Sequence, residues 1–341
     1  MVKRKKLDKR SSGGLYFKSQ PVEFFSTGCT TLDLALGGGI AEGRVMNIVG
    51  DKSTGKTLLA IEAAANFHKK HPTAEIHYAE AEAAFDKPYA ATMGLPLEAV
   101  RFVGEDEDGS FGVDTVEDVF NDIERVISKL KKNQPALYIL DSLDALSDIA
   151  ELKRKIDEGT YGTKAAQIGK LFRKLVRKMK RKRLTLIIVS QIRDNIGVVY
   201  GKQHKRSGGR ALDFYATHVV WLTHINRLTR TRKKVKRAVG VNVQAAVEKN
   251  KVGPPFRSCM FPIIFSYGIE DSVACVNFLN DTGQLKSVGL TKKKVTSNTL
   301  LNRLDGMNQK QYRKFHKRLV KHTRRVWADV EESFSPVRNK Y

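Results

Sequence analysis

The chain has 341 residues, 41% of them hydrophobic, and a formal net charge of +25 at pH 7. That length suits one main domain with appendages and a sizeable core. No apolar run approaches the roughly 18 residues of a membrane span and no signal peptide opens the chain, which sets aside membrane and secretory classes. Three widely spaced cysteines, Cys29, Cys259 and Cys275, fit neither a disulfide framework nor a zinc pattern and point to packing roles in a reducing compartment. The excess of positive charge implies a polyanionic partner, and nucleic acid is favoured over a membrane because no basic amphipathic anchor stands out. Charge alone does not choose between DNA, RNA and mere nonspecific stickiness.

In chain order, residues 1–14 are basic and then Ser/Gly-rich, an arm that reads equally as a nuclear-localisation signal or as a tail attracting nucleic acid. Leu15 to Phe25 holds a short β-like stretch able to pair within the fold or on a neighbouring subunit. Apolar runs follow at Val45–Val49, Ile76–Ala79, Ala136–Leu140, Leu184–Val189 and Val219–Leu222, with helical periods between them, such as Val116, Val119, Phe120, Ile123, Val126, Ile127 and Leu130. Near-continuous apolar strands alternating with helices predict an α/β fold, its mostly parallel central sheet covered by helices on both faces. Val241–Val247 and Met260–Phe265 read as later strands, an antiparallel extension. Past about Asn280 the composition turns basic, with Lys292–Lys294 and a helical stretch from Gln309 to Val326. The expected division is an arm at 1–24, a core at 25–280 and a small, basic, largely helical domain at 281–341.

The run Gly50-Asp51-Lys52-Ser53-Thr54-Gly55-Lys56-Thr57 is a complete P-loop between a predicted strand and a predicted helix. Its glycines let backbone N–H groups curl round phosphates, at a helix N-terminus whose dipole favours anions. Lys56 suits the β- and γ-phosphates of ATP or GTP, and Thr57 suits Mg²⁺. Asp141 ends an apolar strand downstream, where a P-loop fold places the second Mg²⁺-holding group. A hydrolase also needs a group to orient or deprotonate water. Glu80 and Glu82 both sit at the end of a predicted strand where parallel sheets bind ligands, and the residues alone do not separate them. Gln191 ends another buried strand, placed to sense a γ-phosphate. After it comes a Gly-rich stretch with Lys202, His204, Lys205, Arg206 and Arg210, able to cradle a phosphate backbone. Within it Ile196 and Tyr200 are apolar, suited to stacking on or wedging between bases.

Several of these segments resemble the RecA family of recombinases. Phe25 to Gly39 looks like the segment before that family's P-loop. Glu82-Ala83-Ala84-Phe85-Asp86-Lys87-Pro88-Tyr89-Ala90 is similar to its E-H-A-L-D-P-x-Y-A run, and Ser190 to Gly201 with Gly208 to Ala216 is similar to the run from its Gln through its second DNA-binding loop. Lys249-Asn250-Lys251 with Pro255-Phe256 resembles K-N-K-x-x-x-P-F. The resemblance covers about residues 25–270. It implies a RecA-type P-loop ATPase core in which Glu82 activates water, Asp86 and Tyr89 hold adenine, and Lys249 and Lys251 reach the γ-phosphate of the neighbouring subunit. It implies DNA contacts from Arg173, Arg193, Ile196, Tyr200, Gly208, Gly209 and Arg210. A second family Arg on the helix of Arg173 is Ala166 here, with Lys164 as its substitute, and the first DNA-binding loop, 153–161, matches poorly. Two differences stand out: no N-terminal docking helix is evident, and a basic domain stands where the bacterial family has an acidic tail.

The resemblance thus implies an ATP- and Mg²⁺-dependent recombinase of the bacterial or phage-infected cytoplasm. It would form a helical homo-oligomer on single-stranded DNA with ATP at subunit interfaces, pair with duplex DNA and accept loading or mediator proteins. The alternatives are a ring-helicase-like motor or mediator that hydrolyses ATP without strand exchange, and an ATP-switched DNA-coating protein.

Overall fold

The apolar runs become the central strands of a computed structural model, which describes residues 22–149, 163–194, 204–206, 209–290 and 295–338. The basic arm, the 153–161 segment, Ile196, Tyr200, Gly208 and Lys292–Lys294 lie outside the described residues. The first half of the chain forms β1 (Phe24–Phe25), α1 (Thr30–Ala35), β2 (Ile40–Ala41), β3 (Val45–Gly50), α2 (Lys56–Lys70), β4 (Glu75–Glu80), α3 (Lys87–Thr92), β5 (Val100–Phe102), α4 (Val116–Lys129) and β6 (Ala136–Asp141). Then come α5 (Thr163–Lys182), β7 (Leu184–Asp194), β8 (His204–Arg206), α6 (Gly209–Tyr215), β9 (His218–Arg232), β10 (Val235–Asn250), β11 (Ser258–Ile264), β12 (Gly268–Ile269), α7 (Asp271–Asp281), α8 (Ser297–Asp305) and α9 (Gln309–Ser333).

Nine strands hydrogen-bond in the order β12-β11-β10-β9-β3-β7-β6-β4-β5, with β8 paired to β7 off that path. The run from β9 to β5 is parallel and β10 to β12 extend it antiparallel. Every residue of β3 and β6 is buried, because helices cover both faces and leave neither side to water. Successive side chains alternate between two cores, as the two-residue period of a strand requires. Met46, Ile48, Leu137, Ile139, Ile187 and Val189 enter one cluster with Ala63, Ala64 and Phe67 of α2. Val45, Val49, Tyr138, Leu140, Leu186 and Ile188 enter the other with α4 and α5.

α4 starts where Thr115 accepts the Asp118 N–H at 3.1 Å, an N-cap worth about 1 kcal/mol. Val116, Val119, Ile123, Val126 and Ile127 recur at three and four residues and face the second core. Ile168, Leu171, Phe172, Leu175 and Met179 do the same for α5.

The sheet is longer than the sequence suggested on one side. The expected strand at Val219–Leu222 is the first part of the fifteen-residue β9. The dense basic run from Arg227 to Arg237 continues it through a two-residue turn into β10, a long hairpin. Lys233 and Lys234 occupy that turn at φ of 48° and 65°, a conformation usually held by Asn-Gly, so the ordinary turn signal was missing. β1 pairs with β2, so the described end of the Leu15–Phe25 stretch pairs within the chain.

The basic C-terminal helices share a third hydrophobic cluster. Phe315, Leu319 and Val326 of α9 meet Leu300, Leu301 and Leu304 of α8, Val273, Val276 and Leu279 of α7, and Leu228 of β9. That cluster crosses position 281. Among the described residues no helix is long and apolar enough to cross a membrane.

Candidate functional site

Parallel pairing brings the carboxyl ends of β3, β7, β6 and β4 to one edge, the place where such sheets bind ligands. Gly50 pairs with Gln191, and Glu80 with Asp141. The P-loop leaves β3 at Gly50, where a Cβ would lie 2.5 Å from Thr54 Oγ1 and 2.8 Å from the Leu222 carbonyl oxygen. Gly55 sits at φ 83° with Ile263 Cδ1 2.3 Å from its would-be Cβ, so both positions require glycine. Lys56 Nζ donates to the Asp51 carbonyl at 2.7 Å, and Thr54 Oγ1 donates to the same oxygen at 2.9 Å. The loop is thereby closed on itself at the N-terminus of α2, whose first turn carries no acid. Its positive dipole end is left for an anion. Burial lowers the Lys56 pKa, while Glu82 and then Asp141, Asp51 and Asp144 raise it.

Asp141 is buried, with Oδ2 accepting the Tyr78 hydroxyl at 2.8 Å. Burial raises its pKa and Glu82 and Glu80 add to the rise, whereas hydrogen bonds from Tyr78 and Thr57 lower it. Thr57 and Asp141 are therefore neighbours, a hydroxyl and a desolvated carboxylate beside the P-loop. That donor set fits Mg²⁺, which takes one or two protein oxygens and completes its octahedron with phosphate and water.

Glu80 and Glu82 are separated by what their oxygens touch. Glu80 is buried, and its carboxylate accepts the backbone N–H groups of Glu82, Ala83 and Ala84 at 3.0, 2.7 and 3.1 Å. It folds the turn. Glu82 is exposed; its Oε1 accepts the Ser142 hydroxyl and, at 3.0 Å, Gln191 Nε2. The Gln191 N–H donates to Asp144 Oδ2 at 2.6 Å. Glu82, Gln191, Asp141, Thr57 and Lys56 thus form one constellation. Ser142, Asp144 and Tyr78, unnoticed in the sequence because each lies in an ordinary strand or turn context, hold it together.

Asp86 caps α3, accepting the Tyr89 N–H at 2.9 Å. Tyr89 is partly buried against the first core, its phenol pKa raised by that burial and then by Glu62 and Asp86. α3 follows the Glu80 turn directly, which puts the pair on the same edge of the sheet.

Lys249 and Lys251 are not brought to the P-loop of their own chain. Asn250 pairs with His218, and His218 with Met46, four residues before Gly50, or about 13 Å at strand rise. Lys249 Nζ donates to the carbonyls of Asp213 and Phe214, and Lys251 Nζ to that of Phe214 at 2.6 Å. The two cations cap the C-terminus of α6, where a helix favours positive charge.

On α5, Arg173 is exposed opposite the apolar stripe. Lys164, the expected substitute for the missing family Arg, has its Nζ donating to the carbonyls of Asp144 and Leu146. Arg193 lies in β7, and Gly209 and Arg210 open α6, described in their backbone only.

Comparison with known proteins gives a consistent result. The model of the RecA N-terminal domain family matches residues 5–270. The chain is 34% identical over 268 residues to the protein RecA of Arthrospira platensis, 79% of this chain and 69% of that one. It is 34% identical over 268 residues to the RecA of Trichodesmium erythraeum, with 79% and 70% covered. To that of Prochlorococcus marinus strain AS9601 it is 33% identical over 261 residues, with 76% and 67% covered.

Proposed function

The chain belongs to the RecA family, and on that premise we propose that it is a DNA-dependent ATPase that forms a helical filament on single-stranded DNA and promotes pairing and strand exchange with a duplex. The observation that carries this reading is the 3.0 Å bond from Gln191 Nε2 to Glu82 Oε1. β7 ends at Asp194 and leads into the segment assigned to DNA. Gln191 therefore ties the root of that segment to the carboxylate facing the P-loop. Lys56, Thr57 and the backbone of residues 50–57 hold phosphate, with Thr57 and Asp141 as the Mg²⁺ ligands. Asp86 and Tyr89 lie on the adenine side. Glu82 orients water and takes its proton. A bound γ-phosphate would compete with Glu82 for the Gln191 amide, on the strand that leads to that segment.

Lys249 and Lys251, at the opposite end of the sheet, complete the site of the next subunit, where two cations stabilise charge in the transition state. Arg173, Arg193 and Arg210 serve DNA phosphates, with Ile196 and Tyr200 at the bases. Residues 281–341 form the basic appendage to this core. Electron microscopy of the protein with single-stranded DNA and a slowly hydrolysed ATP analogue tests the reading. Extended helical filaments are expected, and closed rings on DNA would favour a motor instead.

A further inference from the structure

A cleft of about 680 Å³ lies against the outer wall of the P-loop, within the size range of small-ligand sites. Its buried and half-buried lining is apolar apart from Thr54: Ile192 of β7, Trp221 and Leu222 of β9, and Val241 of β10. Its exposed lining includes Lys52, His224 and Arg227. Asp51, the acid there, has Oδ1 turned to the Lys52 N–H at 2.7 Å. Trp221 pairs with Val49 and Leu222 with Gly50, so the indole stands immediately beside the phosphate loop. An aromatic face between cations is the chemistry of a nucleotide unit, base on ring and phosphate on Lys or Arg.

The expected adenine side does not use this cleft. Asp86 and Tyr89 follow β4, three strands from β3, whereas Trp221 is on β9, the neighbour of β3 on the other side. The cleft does adjoin the route to DNA, since Ile192 lies in the part of β7 that leads into the segment beyond Asp194. We infer that Trp221 is a stacking platform for a base of bound single-stranded DNA, with Arg227 and Lys52 on the flanking phosphates. The inference rests on the proposed DNA-binding reading and adds a second link to it. Asp51 to Thr54 form one wall of the cleft, so a base seated there touches the phosphate loop itself.

The chain has two tryptophans. The other, Trp327, packs in α9 against Phe278 at a ring separation of 5.3 Å. Trp327→Phe therefore leaves Trp221 as the sole indole reporter. The full chain carrying that change is titrated with an oligo-dT, an abasic oligomer of equal length and a blunt duplex, with an ATP analogue present. Indole emission and the anisotropy of labelled DNA are read in parallel. Oligo-dT should quench Trp221 along the same isotherm as binding, while the abasic oligomer and the duplex, whose bases are missing or already stacked, bind with little quenching. Trp221→Leu should weaken oligo-dT binding about tenfold or more and leave the abasic oligomer unaffected. Oligo-dT bound without quenching, or equal quenching by the abasic oligomer, overturns the inference while leaving DNA binding intact. No binding by anisotropy overturns the proposed function and the inference together.

Discussion

Glu80 and Glu82 are two residues apart at the end of one strand, and side-chain alternation alone would send both to one face. Three backbone N–H groups engage the first, while a serine hydroxyl and a glutamine amide meet the second. Glu82→Gln is expected to keep binding of an ATP analogue and cut phosphate release by at least about 100-fold, the usual worth of a general base; retained turnover would move the base elsewhere. Glu62 carries a different signal. Its Oε1 accepts the Ile269 N–H at 2.6 Å, and burial raises its pKa from 4.5 to about 7, with Asp271 and Glu270 adding to the rise. A carboxyl raised in the folded state favours folding below its unfolded pKa, and that contribution is lost as pH climbs from about 4.5 to about 7. Glu62→Gln keeps the acceptor oxygen and removes the proton. Its unfolding free energy should exceed that of the native chain by about 1–3 kcal/mol at pH 8 and converge with it at pH 5. Thermal or urea unfolding at the two values checks this, and a pH-independent difference would refute the assignment.

Among the elements, the β9–β10 hairpin shows what local patterning misses. Its outer half has no apolar alternation to announce a strand, and Lys233-Lys234 replaces the expected turn residues. The C-terminal helices supply what the hairpin's own sequence lacks. Asp305 of α8 accepts from Arg230 and Arg232 at 2.7 Å each, Asn302 accepts from Arg230, and Asn298 Nδ2 donates to the Thr229 carbonyl at 3.1 Å. Leu228 adds a buried anchor. Asp305→Ala should leave global stability within about 1 kcal/mol, as half-exposed ion pairs do. It should also speed amide exchange across residues 227–237, and unchanged exchange there would show that the hairpin holds itself. The apolar strands and α4, by contrast, were legible in the sequence, because burial on one face or two imposes a period that survives in any single chain.

At the scale of the whole molecule, the phosphate-binding loop and the Lys249–Lys251 pair stand at opposite ends of the same sheet. The proposed site shared between copies can be tested by mixing. A Lys56→Ala chain lacks the lysine proposed for its own phosphate, and a Lys249→Ala/Lys251→Ala chain lacks the cations proposed for a neighbour. Each alone should be nearly inactive, while the mixture should recover part of the DNA-dependent ATPase through composite sites. No recovery from two chains that each still assemble would place both defects within one subunit.

The order of apolar runs determined an α/β sheet, because strands covered on both faces must be apolar throughout. The P-loop spacing pointed to a phosphate site, because its glycines and lysine serve the loop geometry within eight residues of chain. Asp141 was legible as the polar end of a buried strand; Gln191 was read the same way, but β7 runs three residues further, to Asp194. Tertiary structure alone decided which strands adjoin and in what register. That choice joined Glu82 to Gln191 across 109 positions of sequence and used Lys164 to cap carbonyls. It also set Trp221 against the P-loop and sent Lys249 and Lys251 to the far edge. Such distances follow from long-range pairing, which no local pattern of residues encodes.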